Sequence, residues 1–359
     1  MAAPAVARKL GHELELVTFA SFKAFRALAW DGDVLYASRG YELYRTQINS
    51  DASAVKWQFI AVYHAGLPRN LTSQFRLTSR LFRDGFHALA VLPSGDLVGA
   101  VPRAIVTLAP GDKQFRVSHR IGRGTRPLHI ATSHAGHLFW GEYFDNPNRD
   151  EAHIYGSSDR GLTWNVVFTF PRGKVRHIHN IVYDEWGKCF WVLTGDEGRE
   201  CQILRASADF RSLDVVLSGG QQTRSAALVP AAHGVYFSSD TPSETNHVYS
   251  LDHRGNLSVV ADLPSSSSYG CRVGDAVFFS TMAEPSRINA ENDVSLFGGL
   301  EGRDWQQLRH WKKDHWPMGL FQYGNAFLPD GNNATHVLAV TTVAVKDRDC
   351  ELTLLSLPC

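Results

Sequence analysis

Short apolar runs rich in Val, Leu, Phe, Tyr and Trp alternate with turns bearing Gly, Asp or Asn along the whole chain, and helical periodicity is almost absent. This pattern predicts strands joined by tight turns. One unit recurs: an apolar strand, a turn with Gly or Asp, and a second apolar strand. It appears at Ala27–Ala37, His87–Gly99, Leu128–Gly141, His179–Leu193, Ser225–Phe237, Tyr269–Ser280, and Gly324–Gly331 followed by His336–Val340. After each copy there is room for two more strands, as at His153–Gly156 and Trp164–Phe170. A spacing of roughly 40 to 60 residues is that of four-stranded propeller blades.

The predicted fold is therefore all-β: one seven-bladed β-propeller of four-stranded antiparallel blades spanning residues 1–359. Its blades start near residues 27, 87, 128, 179, 225, 269 and 323. The seventh copy has room for only three strands before Cys359. The segment Glu13–Phe19 is expected to supply the fourth and close the ring, which leaves no open edge. No linker or low-complexity stretch marks a second domain.

Charge narrows the partners. Lys plus Arg equals Asp plus Glu, at 36 each, so bulk electrostatics offers no case for nucleic acid or a membrane surface, and neither is expected. No apolar run reaches the length of a membrane span. Residues 1–13 show no apolar stretch of the secretory kind, so a cytoplasmic location is expected. The five cysteines, at 189, 201, 271, 350 and 359, form no CxxC pair. They are expected to be unpaired thiols and not zinc ligands.

The octapeptide Ser157-Ser-Asp159-Arg-Gly161-Leu-Thr163-Trp164 matches S-x-D-x-G-x-T-W in full. In this the chain resembles the Asp-box, or bacterial neuraminidase repeat, superfamily of sialidase-like propellers. Degenerate versions stand at Leu296–Trp305 and Ser207–Phe210. The resemblance covers the chain as architecture. It implies that the box is structural: Asp caps turn donors, Gly takes the positive-φ position and Trp packs beneath the blade. The early F/Y-R-I-P motif of sialidases proper is absent, so sialidase activity is not implied. Enzymes on similar propellers include glycoside hydrolases with a catalytic histidine and polysaccharide lyases that use His, Tyr and Arg.

Propeller topology locates the chemistry. The loops leading into the first strand and out of the second share one rim; the loops between strands three and four, where the Asp-box falls, lie on the other. The rim loops carry Arg80, His87, Arg126, Arg176, His177, His179, Arg224, Gln322 and Tyr323 on the way in, and Glu142, Tyr143, Arg149, Asp196, Asp240 and Glu284 on the way out. In an extended strand, residues two apart face the same side, so His177 and His179 both address the channel. An imidazole titrates near neutrality and suits proton transfer. Tyr143, Glu142 and Tyr323 are candidates for acid, base or nucleophile. Arg80, Arg126, Arg149, Arg176 and Arg224, with His87, Asp196, Asp240, Glu284 and Gln322, are candidates for holding an anionic ligand.

These residue types suit an enzyme that cleaves an acidic, uronate-type oligo- or polysaccharide by hydrolysis or β-elimination. The alternative is a non-catalytic propeller that binds glycan or protein. No cofactor is required by this reading. A divalent metal is the one alternative, with His87, His177, His179 and a carboxylate such as Glu142 as its ligands.

Overall fold

A computed structural model of the chain describes residues 14–48, 55–284, 286, 288, 292–300 and 303–357. Seven sheets of mostly four antiparallel strands follow one another around a central axis, each numbered from inside to outside in chain order. Their innermost strands begin at Arg26, Ala88, Ala131, Ile178, Ala227, Ser267 and Asn325, within three residues of the predicted starts.

The axis is crowded, and small side chains answer that crowding. Ala27, Ala29, Ala88, Ala90, Ala131 and Ala227 are buried on inner strands, whereas the second strands carry Phe190, Trp191, Phe237, Phe278 and Phe279. Among the described residues the core falls into seven wedges between successive blades, with a small further cluster of Phe327, Val343 and Ala344 in blade 7. Leu28 and Leu43 of blade 1 meet Leu89 and Val106 of blade 2; Ile154 of blade 3 meets Phe190 and Val192 of blade 4. The last wedge joins Ala339 and Leu354 of blade 7 to Ala27, Trp30 and Leu35 of blade 1. Closure is thus hydrophobic as well as hydrogen-bonded. Each fully buried Leu or Phe contributes about 1.5–3 kcal/mol.

The closing strand is Val17–Lys23, paired antiparallel with Glu351–Ser356 from Val17↔Ser356 to Lys23↔Glu351. It lies four residues downstream of the expected segment Glu13–Phe19, whose first residue is outside the described residues. The alternation that suggested an earlier strand has another use. Leu14 and Leu16 are buried in the wedge between blades 6 and 7. Their carbonyls accept side-chain hydrogen bonds from Gln306 and Arg309 instead of joining a ladder.

Two further features were not expected. Asp330–Asn333 runs parallel to the inner strand of blade 1, Ala29↔Asp330 to Gly32↔Asn333, so the Pro-Asp-Gly sequence is not a simple hairpin turn. Gly331 is required there: at φ +92 a Cβ would lie 2.2 Å from the Trp30 carbonyl oxygen. Between blades 1 and 2 the chain forms two short helices, Leu67–Thr72 and Arg76–Phe82. The second replaces part of what reads in sequence as a loop.

The Ser157–Trp164 turn joins the outer strands of blade 3. Ser157 Oγ donates to Asp159 Oδ1 at 2.8 Å, and Asp159 accepts from the Thr163 amide at 3.0 Å and its hydroxyl at 2.6 Å. Gly161 sits at φ +77, where a Cβ would approach Val98 to 2.8 Å. Trp164 Nε1 donates to Ser118 Oγ and the Gly161 carbonyl. Ser207 and Asp209 repeat the hydroxyl–carboxylate contact in blade 4, also at 2.8 Å. Cys189, Cys201, Cys271 and Cys350 are free thiols; Cys359 is outside the described residues. Among the described residues no helix is long and apolar enough to cross a membrane.

Candidate functional site

Every inner strand begins at one rim, and the residues at those beginnings converge on the axis. Blade 4 supplies the centre. The pairing of its first two strands slips between Ile178 and Asn180, a bulge that re-aims side chains at the strand start. His177 and His179, two apart, come out on the same side, as the sequence predicts. Both are buried, and their Nε2 atoms lie 2.9 Å apart.

The hydrogen-bond network assigns their tautomers. His177 Nδ1 faces the Phe144 carbonyl at 3.0 Å, and His179 Nδ1 faces the Ser225 carbonyl at 2.9 Å. A carbonyl only accepts, so each Nδ1 must carry the proton. In the neutral imidazoles both Nε2 lone pairs then point into one small space. Asp196 Oδ1 shares it, 3.3 Å from His179 Nε2 and 3.5 Å from His177 Nε2.

Asp196 is the hub. Arg176 Nη1 contacts its Oδ2 at 3.2 Å and Arg224 Nη2 its Oδ1 at 3.3 Å. Burial works against its charge, but the two imidazoles of His177 and His179 beside it outweigh burial and hold its carboxyl well below the usual carboxylate range. Burial, first of all, lowers His179 below the usual histidine value, so His179 is neutral near pH 7.

Asp240 is the opposite case. It lies 3.9 Å from Arg224 and 3.5 Å from the Ser268 hydroxyl. Burial dominates, aided by Glu284 and Asp196, and pushes its carboxyl up to about 7. Glu284 accepts a hydrogen bond from Ser266 Oγ. Two carboxyl groups tied to one arginine therefore have values driven far apart, a pattern that separates a standing anion from a proton donor. Tyr143 packs its ring against that of His177, with centroids 4.4 Å apart and planes tilted by 50°, and burial with Asp240 and Asp196 pushes its phenol up to about 12.

Blades 1 to 3 contribute positive charge. His87 Nε2 faces the Arg83 carbonyl at 2.7 Å and must donate there, leaving Nδ1 to accept from Arg26 Nη1 at 3.4 Å. Burial, Arg126 and Arg26 keep His87 well below the usual histidine value. Arg126 is half-buried and makes no ion pair among the described residues; its side-chain hydrogen bond there is to Thr125. Burial and the neighbouring Arg83 and Arg26 depress its guanidinium to about 10.

Several predicted site residues have other duties. Arg80, on the helix Arg76–Phe82, is buried; its Nη1 bridges Asp314 at 2.6 Å and Asp349 at 2.9 Å, and its Nε and Nη2 cap the Phe321 carbonyl. Gln322 donates to the Arg80 carbonyl. Glu142 is buried against Arg123 and the His153 amide, so neither it nor His87 stands with the His177–His179 pair as an expected metal ligand. Asp196 does. Arg149 pairs with Glu197 and Glu200. Tyr323 is 39% exposed and makes no side-chain hydrogen bond among the described residues.

Sequence reasoning placed Arg83 and His129 in the rim loops without giving them a role, and did not single out Arg26, Tyr269 or Asp330. His129 Nδ1 meets the Asp330 carboxylate at 3.0–3.1 Å across the channel. Both line a central cavity of about 430 Å³, together with Asn180, Tyr269 and Cys271. A second cavity of about 950 Å³ lies between blades 7, 1 and 2 and the helices, lined by Arg26, Arg76, Arg80 and His87 among others.

No family model matches the chain, and no curated protein matches it. Solved structures do. A chain from the crystal structure of a nidogen/laminin complex is 12% identical with a TM-score of 0.51, over 84% of this chain and 97% of that one. A chain from the crystal structure of a mitotic checkpoint complex is 10% identical with a TM-score of 0.54, over 99% of this chain and 96% of that one. At such identities the likeness concerns the propeller fold alone.

Proposed function

We propose that the rim of the channel is an enzyme site that binds an acidic, uronate-type oligosaccharide and cleaves it, with His177, His179 and Asp196 as its reactive centre. One observation carries this reading. A neutral histidine, a carboxyl raised to about 7 and an arginine without an ion pair among the described residues, Arg126, belong to one rim. Arginines drawn partly out of solvent ordinarily end on carboxylates. One left without such a partner is suited to a carboxylate from outside.

Two bond-breaking routes use these groups. In elimination, a base removes the proton at C5 of the uronate, the C4–O bond breaks with its electron pair going to oxygen, and a C4=C5 double bond forms. In hydrolysis, water attacks the anomeric carbon and loses a proton to a base, while the glycosidic C–O bond breaks with its electron pair going to the leaving oxygen. In both, Asp240, protonated below about pH 7, is suited to give its proton to the departing oxygen. Arg126, Arg176 and Arg224 would carry the sugar carboxylate. The turn at Ser157–Trp164 supports placing the chain among sialidase-like Asp-box propellers, with the box as a brace and not as chemistry.

The test is a panel of acidic and neutral oligosaccharides incubated with the full chain. Near-ultraviolet absorbance reads the unsaturated product of elimination, and new reducing ends read either route. Cleavage confined to acidic substrates is expected. Binding without cleavage would leave the non-catalytic reading, and neither binding nor cleavage of any member would end the proposal.

A further inference from the structure

We propose that His177 Nε2, His179 Nε2 and Asp196 Oδ1 form a binding site for one divalent transition-metal ion of the zinc class. The three atoms are separated by 2.9, 3.3 and 3.5 Å. A triangle with those sides has its centre about 1.9 Å from each corner, by plane geometry on the same three distances. Zinc bonds to imidazole nitrogen and carboxylate oxygen are about 2.0–2.2 Å. An ion at that distance from all three sits just off their plane, with its remaining positions open. Among the described residues this is the one cluster of three such side chains with ligand atoms this close together.

The surroundings are those of a ligand set. Each imidazole donates its Nδ1 proton to a backbone carbonyl, of Phe144 and of Ser225. That is the outer contact that fixes a ligating histidine as its Nε2 tautomer. Arg176 and Arg224 orient the carboxylate in the same way. Without an ion, two buried lone pairs face each other at 2.9 Å unless one nitrogen carries a second proton. A cation satisfies all three acceptors at once. The ion and the two arginines together outweigh Asp196 in charge, so an anionic group is the natural occupant of the open positions.

This inference stands on the geometry of three side chains and does not require the ligand to be a glycan. In the cleavage reading it moves both imidazoles from proton transfer to ligation.

The experiment uses the full chain, stripped with a chelator and titrated calorimetrically with Zn²⁺ alone. One ion per chain is expected, bound at least ~100-fold more weakly by the folded His177→Ala/His179→Ala double variant. Surface His247, paired with Asp262, serves as control: His247→Ala should bind as the parent does. If the double variant does not fold, X-ray absorption of the zinc-loaded parent decides, with two imidazole nitrogens expected at about 2.0–2.1 Å. A folded parent that binds no stoichiometric ion would overturn the site. So would unchanged binding in the folded double variant, or a spectrum without imidazole. No glycan enters the assay, so its failure is distinct from failure of the cleavage reading.

Discussion

His177 and His179 place their Nε2 atoms 2.9 Å apart inside the protein, each already donating its Nδ1–H to a backbone carbonyl. This is not how a stabilising buried pair is built, because two acceptors oppose each other. Such arrangements persist where the surrounding fold enforces them, and they cluster at working sites. The metal-free single variants His177→Ala and His179→Ala should therefore change stability by no more than about 1 kcal/mol, well below the 3–5 kcal/mol of a broken buried ion pair. Chemical denaturation of chelated protein measures it. A loss of the larger size would make the pair a structural element.

Arg80 should show that larger loss. It ties the inserted helix to Asp314 and Asp349 while 2% exposed. Arg80→Ala takes a buried cation from Asp314 and Asp349, leaving them Lys313 and Arg76, and strips the Phe321 carbonyl of its donors; it should cost about 3 kcal/mol, the low end for a broken buried pair. Per folded molecule, ligand binding at the rim should not change. Normal stability in this variant, with lost binding, would return Arg80 to the site where sequence reasoning put it.

Asp159 is a brace on the face opposite the site. Its replacement by Ala removes the acceptor for two Thr163 donors and one Ser157 hydroxyl. A loss of about 1–2 kcal/mol is expected, the scale of a lost cap. Activity per folded molecule should be intact; a stable variant without activity would contradict this.

Asp240 makes stability fall as pH rises. Its folded value is about 7 against an ordinary 3.8. Below the ordinary value both states are protonated and nothing is lost. Between the two values the unfolded chain releases its proton while the native state keeps it, so native stability declines until the folded value is passed. In metal-free protein, Asp240→Asn should flatten this decline and gain about 1–2 kcal/mol at pH 8. Unfolding midpoints from pH 4 to pH 8 report it, and a less stable Asn variant at pH 8 would reverse the assignment.

The blades were legible because each repeats the same strand–turn–strand signal, and the His177–His179 pair because strand alternation fixes its side. The closing strand was misplaced by four residues because Leu14 and Leu16 alternate like strand residues while packing in a wedge. The helices at Leu67–Phe82 were hidden because Leu67, Leu71 and Phe75 are exposed, which inverts the usual amphipathic pattern. Asp330 was read as a turn residue. Its place beside His129 depends on pairing with a strand some 300 residues away, which no local pattern reports.

The most direct test takes the folded parent, His177→Ala and His179→Ala through one pair of measurements: unfolding midpoint, and turnover of an acidic oligosaccharide that the parent cleaves. The account predicts near-parent stability with turnover reduced about 10²–10⁴-fold. Lost stability, from a parent that neither binds nor cleaves any acidic glycan, would contradict it and leave the histidines as part of the frame.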